Sequence, residues 1–181
     1  MPIKATISNK GEGLNGEFQA VCSNVYDLEM QISNFNGHET LDHKVLILFE
    51  IIKRIPTTGK RFTVSKEYTL NLNKRSNLRK DLESWRGRPF DEKEINTEFD
   101  LENLIGVNCM LILEEKESNG KTFSNITAIK PLEKGLEKMT PEMNKNYAPE
   151  WVVKKIQNGK PVPVIKEDKK TFEEEKDEVP F

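Results

Sequence analysis

Lys44–Arg54, KVLILFEIIKR, then the turn Ile55–Lys60, IPTTGK, then Arg61–Leu70, RFTVSKEYTL, form the stretch on which the fold is decided. The first segment is dense in β-branched and aromatic residues, which suit a pleated, buried surface. The second alternates Phe62, Val64, Tyr68 and Leu70 with Arg61, Thr63, Ser65, Glu67 and Thr69, the period of two expected of a strand with one buried face. The short connection predicts an antiparallel pair. Working back from it, Glu17–Ile32 places Phe18, Ala20 and Cys22 in alternation and reads as a strand with a bulge near Ser23–Asn24. Between these strands, Ser33–Asp42 reads as a long polar loop carrying Phe35. The first sixteen residues are polar, with Gly11, Gly13 and Gly16, and predict a loose start.

Working forward, the period changes. Lys74–Trp85 sets Leu78, Leu82 and Trp85 at i, i+4 and i+7, with Ser76 as an N-cap and Gly87 as a stop, and predicts an amphipathic helix. Asp100–Ile105 predicts a short helical turn closed by Gly106. Val107–Leu113 and Thr122–Lys130 predict two more strands, joined through Asn119-Gly120, a strong hairpin signal. Strand, strand, strand, helix, strand, strand is the order of the OB barrel, whose helix lies between strands 3 and 4 and plugs one end. The expected class is therefore mainly β: a five-stranded OB-fold barrel with one helix, followed by a largely disordered acidic tail.

Domain organisation follows from a shift in composition at Pro131. Six of the nine prolines fall in the last 51 residues, which predicts a domain over 1–135 and a proline-rich linker over 136–166. A short helix is expected near 149–158, where PEWVVKKIQN opens on proline and stops at Gly159. Residues 167–181 are expected to be a disordered acidic tail ending in Val-Pro-Phe.

Composition removes several function classes. Of 181 residues, 32% are charged and 35% hydrophobic, and no apolar run nears the roughly 18 residues of a membrane span. No N-terminal signal pattern is read, so a soluble cytoplasmic chain is expected. Cys22 and Cys109 are too few and too far apart for a disulfide framework or a zinc ribbon. His38-Glu39 with His43 misses the helical spacing of a zinc protease, because the second histidine falls five positions on. Gly120-Lys121-Thr122 lacks the first glycine of a phosphate loop, with Glu115 in its place. Asn125-Ile126-Thr127 is a glycosylation sequon only in a secreted protein. No enzyme, cofactor or metal is expected.

Where the charges lie is more informative than their total of −2. Lys53–Arg88 carries a net of +8, Pro89–Gly120 a net of −7, and Thr171–Phe181 a net of −4. A basic middle with an acidic end points to a polyanion-binding surface and a separate tail. Lys53, Arg54, Lys60, Arg61 and Lys66 surround Phe62 and Tyr68, and Arg86 and Arg88 extend the basic run. Single-stranded nucleic acid needs this mixture, cations along the phosphates and aromatic faces for the bases. Phe62 and Leu70 are also candidates for the core, as is Trp85, and Tyr68 fits either role. Lys121 and Phe123 near the second hairpin tip, and Phe35 in the first loop, are the expected exposed contacts, because OB folds bind on the central strands and on those loops.

The last residues, TFEEEKDEVPF, place an aromatic after an acidic run. Such a tip can insert its ring into an apolar pocket while the acids steer its approach. Asp177, Glu178, Val179, Pro180 and Phe181 resemble the acidic tip of bacterial single-stranded DNA-binding proteins. Leu78–Phe90, LRKDLESWRGRPF, with Phe99–Gly106, FDLENLIG, and Gly120–Gly135, GKTFSNITAIKPLEKG, are similar to a family of small phage and prophage proteins. Those are regarded as OB-fold single-stranded DNA-binding proteins, and the likeness covers roughly residues 44–135 plus the tip.

The resemblance implies a protein that coats and protects single-stranded DNA without sequence preference during phage replication or recombination, in the host cytoplasm if phage-encoded. It also implies recruitment of replication or recombination proteins through the tip. Whether the chain is a homo-oligomer stays open. Two other classes remain beside this one: an OB-fold adaptor that binds protein, and an RNA-binding OB module.

Overall fold

Alternation along the chain yields five strands, β1 (Gly16–Phe35), β2 (His38–Arg54), β3 (Arg61–Thr69), β4 (Asn108–Ser118) and β5 (Lys121–Lys130). They form one sheet in the order β3-β2-β1-β4-β5, with every neighbouring pair antiparallel. The structure, a computed structural model, describes residues 13–161 and 180–181. The edge strands β3 and β5 approach one another without pairing, so hydrogen bonds do not close the sheet. Among the described residues no helix is long and apolar enough to cross a membrane.

One face of the sheet gathers the alternating apolar residues. Ala20 and Cys22 from β1, Val45, Ile47, Phe49 and Ile51 from β2, Val64 and Tyr68 from β3, and Leu111 and Ile129 from β4 and β5 share one buried cluster. Each fully buried side chain of this size contributes roughly 1.5–3 kcal/mol. The helix α1 (Asn77–Arg86) adds Leu78, Leu82 and Trp85 to it and packs on β5 and β3. Its ends follow the sequence signals. The Ser76 side chain accepts from the Arg79 N–H, and Gly87 terminates the helix at φ 74°, a left-handed conformation that glycine adopts without a Cβ penalty. Trp85 Nε1 donates to the Asn108 carbonyl at 3.0 Å and Ser84 Oγ to that of Ile129 at 2.6 Å, which lock α1 to the sheet.

The 91–105 stretch adds a short helix α2 (Glu92–Ile95), opened by a capping box between Asp91 and Glu94, and a 3₁₀ turn at Leu101–Leu104 capped by Asp100. The bulge expected near Ser23–Asn24 lies where the β1–β2 register slips between Cys22 and Asn24. Leu70, a core candidate from its alternation, lies beyond the end of β3 and is exposed.

Two regions depart from the sequence reading. The polar loop expected at Ser33–Asp42 is instead strand on both sides, paired from Met30↔His43 to Phe35↔His38. The chain turns in two residues, Asn36 at φ 51° and Gly37 at φ 79°, the positive-φ pair that two-residue hairpins favour. Its polarity reflects an arm solvated on both faces, not a lack of strand.

The second departure is the segment expected to be a linker. Residues 136–160 run across the outer face of the sheet as a strap. The Gln19 side chain donates to the Glu137 carbonyl, and Asn108 exchanges two bonds with the Met139 backbone. Asn24 donates to the Asn144 and Tyr147 carbonyls. The strap ends in α3 (Glu150–Asn158), whose Val152 joins Leu28 and Leu46 in a second small core. Beyond α3, Lys160 pairs with Met30 as an isolated bridge. Gly159 is needed there, since a Cβ would come within 2.6 Å of the Leu28 carbonyl oxygen. Most of the expected tail lies outside the described residues; Pro180 and Phe181 are within them.

Candidate nucleic-acid interface

β3 and β5 run side by side from their first residues, and the gap between them is a cleft of about 490 Å³. Phe62, Thr63 and Ser65 line it from β3, and Thr122, Phe123 and Asn125 from β5. Gly13 and Leu14 also line it, held by the Leu14 N–H donating to Ser124 Oγ at 2.6 Å. The strand period explains the arrangement. Val64 and Ile126 turn inward, and the half-buried Phe62 packs against the core with one side. Phe123, 47% exposed, has no core to enter. The cleft thus brings two of the sequence-predicted aromatics together among small hydroxyl and amide groups.

The predicted cations divide into two groups. Lys53, Lys60 and Lys121 are exposed and form no ion pair among the described residues. Lys60 and Lys121 lie two residues before the cleft-lining Phe62 and Phe123 in the sequence.

The other cations are engaged. Arg54 makes a two-pronged contact to Glu142, with Nη2 at 2.5 Å and Nη1 at 3.1 Å from its carboxylate oxygens. Arg61 donates to the Thr140 carbonyl at 2.7 Å and to Glu50 at 3.2 Å, and its Nε lies 3.5 Å from Glu142. The hydrogen bond from Arg54, helped by the nearby Arg61 charge against a smaller effect of burial, holds the Glu142 carboxyl below the usual carboxylate range. Glu50 is 3% exposed and accepts from the Glu142 and Met143 N–H groups as well as from Arg61. A buried carboxylate is tolerated when hydrogen bonds and a counter-charge compensate it in this way.

Lys66 bonds Asp81 at 2.6 Å, and Tyr68 donates its hydroxyl to the same oxygen at 2.7 Å. The Tyr68 ring is buried, and burial, reinforced by Asp81, pushes its phenol upward. That ring belongs to the core and is not offered to a base. Arg86 is likewise internal, with its side chain 2% exposed, its Nη2 2.6 Å from Glu94 and its guanidinium 4.4 Å over the Phe90 ring. Arg88 reaches the same Glu94 at 3.2 Å. A backbone hydrogen bond from Asp91 and the Arg86 contact, against a smaller effect of burial, lower the Glu94 carboxyl. Arg86 thereby anchors α2 to α1 from the interior, while the Arg88 side chain stays 53% exposed.

Phe35, 72% exposed at the tip of the β1–β2 arm, stands apart from the cleft-lining residues. Of the proposed tip, Asp177, Glu178 and Val179 lie outside the described residues. Phe181 is half-buried against Trp85 and Phe99.

Sequence reasoning missed the pairing roles of Glu142 and Glu50. Glu142 is 88 positions from Arg54 and sits in a segment read as linker, so no local signal pointed to it. Glu50, an acid interrupting an apolar run in β2, was the one visible hint of a buried partner. Thr122, Ser65 and Asn125 looked like ordinary solvated strand residues. In comparison with known proteins, the chain matches no family model and no curated sequence.

Proposed function

We propose that this protein is a sequence-independent single-stranded DNA-binding protein of the OB type, which coats and protects the strand and recruits replication or recombination proteins through its acidic tail. The observation that carries the reading is the β3–β5 cleft, which Phe62 and Phe123 both line, with the exposed Lys60 and Lys121 two residues before them in the sequence. Bases stack on aromatic faces for about 1–3 kcal/mol each, and cations on either side track the phosphates. The strand order, with α1 placed between β3 and β4, agrees with an OB topology. Because Arg54 and Arg61 are engaged, the phosphates fall to Lys53, Lys60 and Lys121. Stacking on Phe62 and Phe123 tolerates any base because every base has a π-face, which favours coating over sequence readout.

Titration of oligo-dT at several salt concentrations tests this. Log affinity is expected to fall linearly with log salt, and the double substitution Lys60→Ala with Lys121→Ala to flatten the slope by about 0.7 for each phosphate no longer neutralised. Phe123→Ala is expected to weaken binding with little change in Tm. Salt-independent binding, or a Phe123→Ala protein that unfolds, would overturn the site. Preference for RNA of matched sequence would favour an RNA module, and no binding at moderate salt an adaptor.

A further inference from the structure

Five aromatic rings form a continuous chain through one end of the molecule. Phe49 and Trp85 lie 5.4 Å apart inside the core, and Phe90 and Phe99 lie 5.7 Å apart on the 89–100 stretch. The ring that joins the two pairs is Phe181, 4.9 Å from Trp85 in an edge-on arrangement and 6.2 Å from Phe99. These separations fall in the range where aromatic pairs attract beyond simple burial. Without Phe181 the chain of rings is interrupted by a gap the size of one phenyl group.

We propose that the cleft between Trp85 and Phe99 is an exchangeable receptor for a phenylalanine on a short peptide, filled in cis by Phe181. Its walls are held independently of the occupant. Trp85 is fixed by α1 and by its bond to the Asn108 carbonyl, and Phe99 leans on Phe90, which the Arg86 guanidinium covers. The occupant is held lightly. Phe181 is only half-buried, Pro180 is exposed, and neither makes a hydrogen bond to a described residue. The contact is a ring in a slot, weak by itself but reinforced because the ring is tethered. A tether of the eighteen residues 162–179 can raise the local concentration toward the millimolar range. A partner that reads this ring therefore competes with the protein's own cleft. Only that consequence rests on the tail-recruitment reading; the receptor itself does not depend on nucleic acid.

The test uses the peptide Asp177–Phe181 and the emission of Trp85, isolated by Trp151→Phe since the chain has two tryptophans. In the Phe181→Ala protein the peptide is expected to give a saturable change. Half-saturation should come at a concentration at least tenfold lower than when Phe181 is retained. The same peptide ending in alanine should be silent. No saturable change in Phe181→Ala up to millimolar peptide, equal half-saturation with and without Phe181, or an equal response to the alanine peptide would each overturn the proposal. Should Phe181→Ala lose its folded far-UV spectrum, recovery on adding peptide supports the receptor, and failure to recover makes Phe181 a fixed core residue and ends it. No nucleic acid is present, so a failed receptor and a failed DNA reading appear in separate titrations.

Discussion

The two faces of the sheet are buried by different chemistry. The inner face is apolar, sealed by Leu78, Leu82 and Trp85 of α1 against Phe49, Ile47 and Leu111. Much of the outer face is covered by the 136–160 strap, and its buried residues include Gln19, Ser23, Asn24, Glu50 and Asn108. The inner seal is non-directional and proportional to area. The outer one adds, to the small apolar cluster of Leu28, Leu46 and Val152, hydrogen bonds that are each of modest net worth but costly to leave half-made. The first kind of face fixes that the chain folds, and the second fixes where one segment lies.

That difference should be largest in the response to truncation. Leu82→Ala removes a side chain 1% exposed at the centre of the inner face and is expected to destabilise the whole domain by about 2–5 kcal/mol. The drop should appear in urea midpoints read by far-UV signal and by tryptophan emission together. A loss below the lower end of that range would mean that α1 is not an integral part of the core.

Next in size is Glu50→Ala. It leaves the Glu142 and Met143 N–H groups and part of Arg61 without their acceptor, at a cost of about 1–3 kcal/mol. The expected signature is local: faster amide exchange across the strap at 139–147 while β1 and β2 stay protected. Uniform loss of protection in strap and sheet would break the comparison, because the two faces would then be one cooperative unit.

The same contrast explains what was legible in the sequence. The inner face announces itself through period-two alternation in β2 and β3 and through Leu78, Leu82 and Trp85 on α1, so strand order and the position of the helix could be read. The β1–β2 arm escaped although Asn36-Gly37 carries the same turn signal as Asn119-Gly120, because the strands beside it lack an apolar face. Of the strap, only the closing helix was legible, from Pro149 and Gly159 at its ends, while the course of residues 136–148 was not. The strap's anchors are polar residues on the outer face, which in sequence look solvated, and their partners lie 31 to 123 positions away. At the candidate site, Phe62, Phe123, Lys60 and Lys121 were accessible to local reasoning. That Tyr68 and Arg86 are internal was not, since each is made so by a distant or turn-separated acid, Asp81 or Glu94.

The smallest effect on stability, and the sharpest on function, is expected from Glu142→Gln. This acid sits on an exposed rim and neutralises Arg54 and Arg61 together. Its carboxyl is depressed, chiefly by the Arg54 hydrogen bond. The stability it contributes is therefore present above the ordinary carboxylate range and lost as pH falls through its lower folded value. At neutral pH it is charged, and glutamine keeps its shape while removing that charge. Exposed ion pairs contribute little to stability, so Tm should stay within the scatter of surface substitutions. In the DNA-binding reading, Arg54 then becomes available to phosphate, while Arg61 stays held by Glu50 and the Thr140 carbonyl. Affinity for oligo-dT should rise several-fold at low salt, with the gain fading above ~0.15 M, where the Debye length is about 8 Å. Competition by charge alone requires that fading. If Glu142→Gln instead weakens binding at every salt concentration, the strap matters through its conformation, and its polar anchoring is part of the binding surface rather than a cover over it.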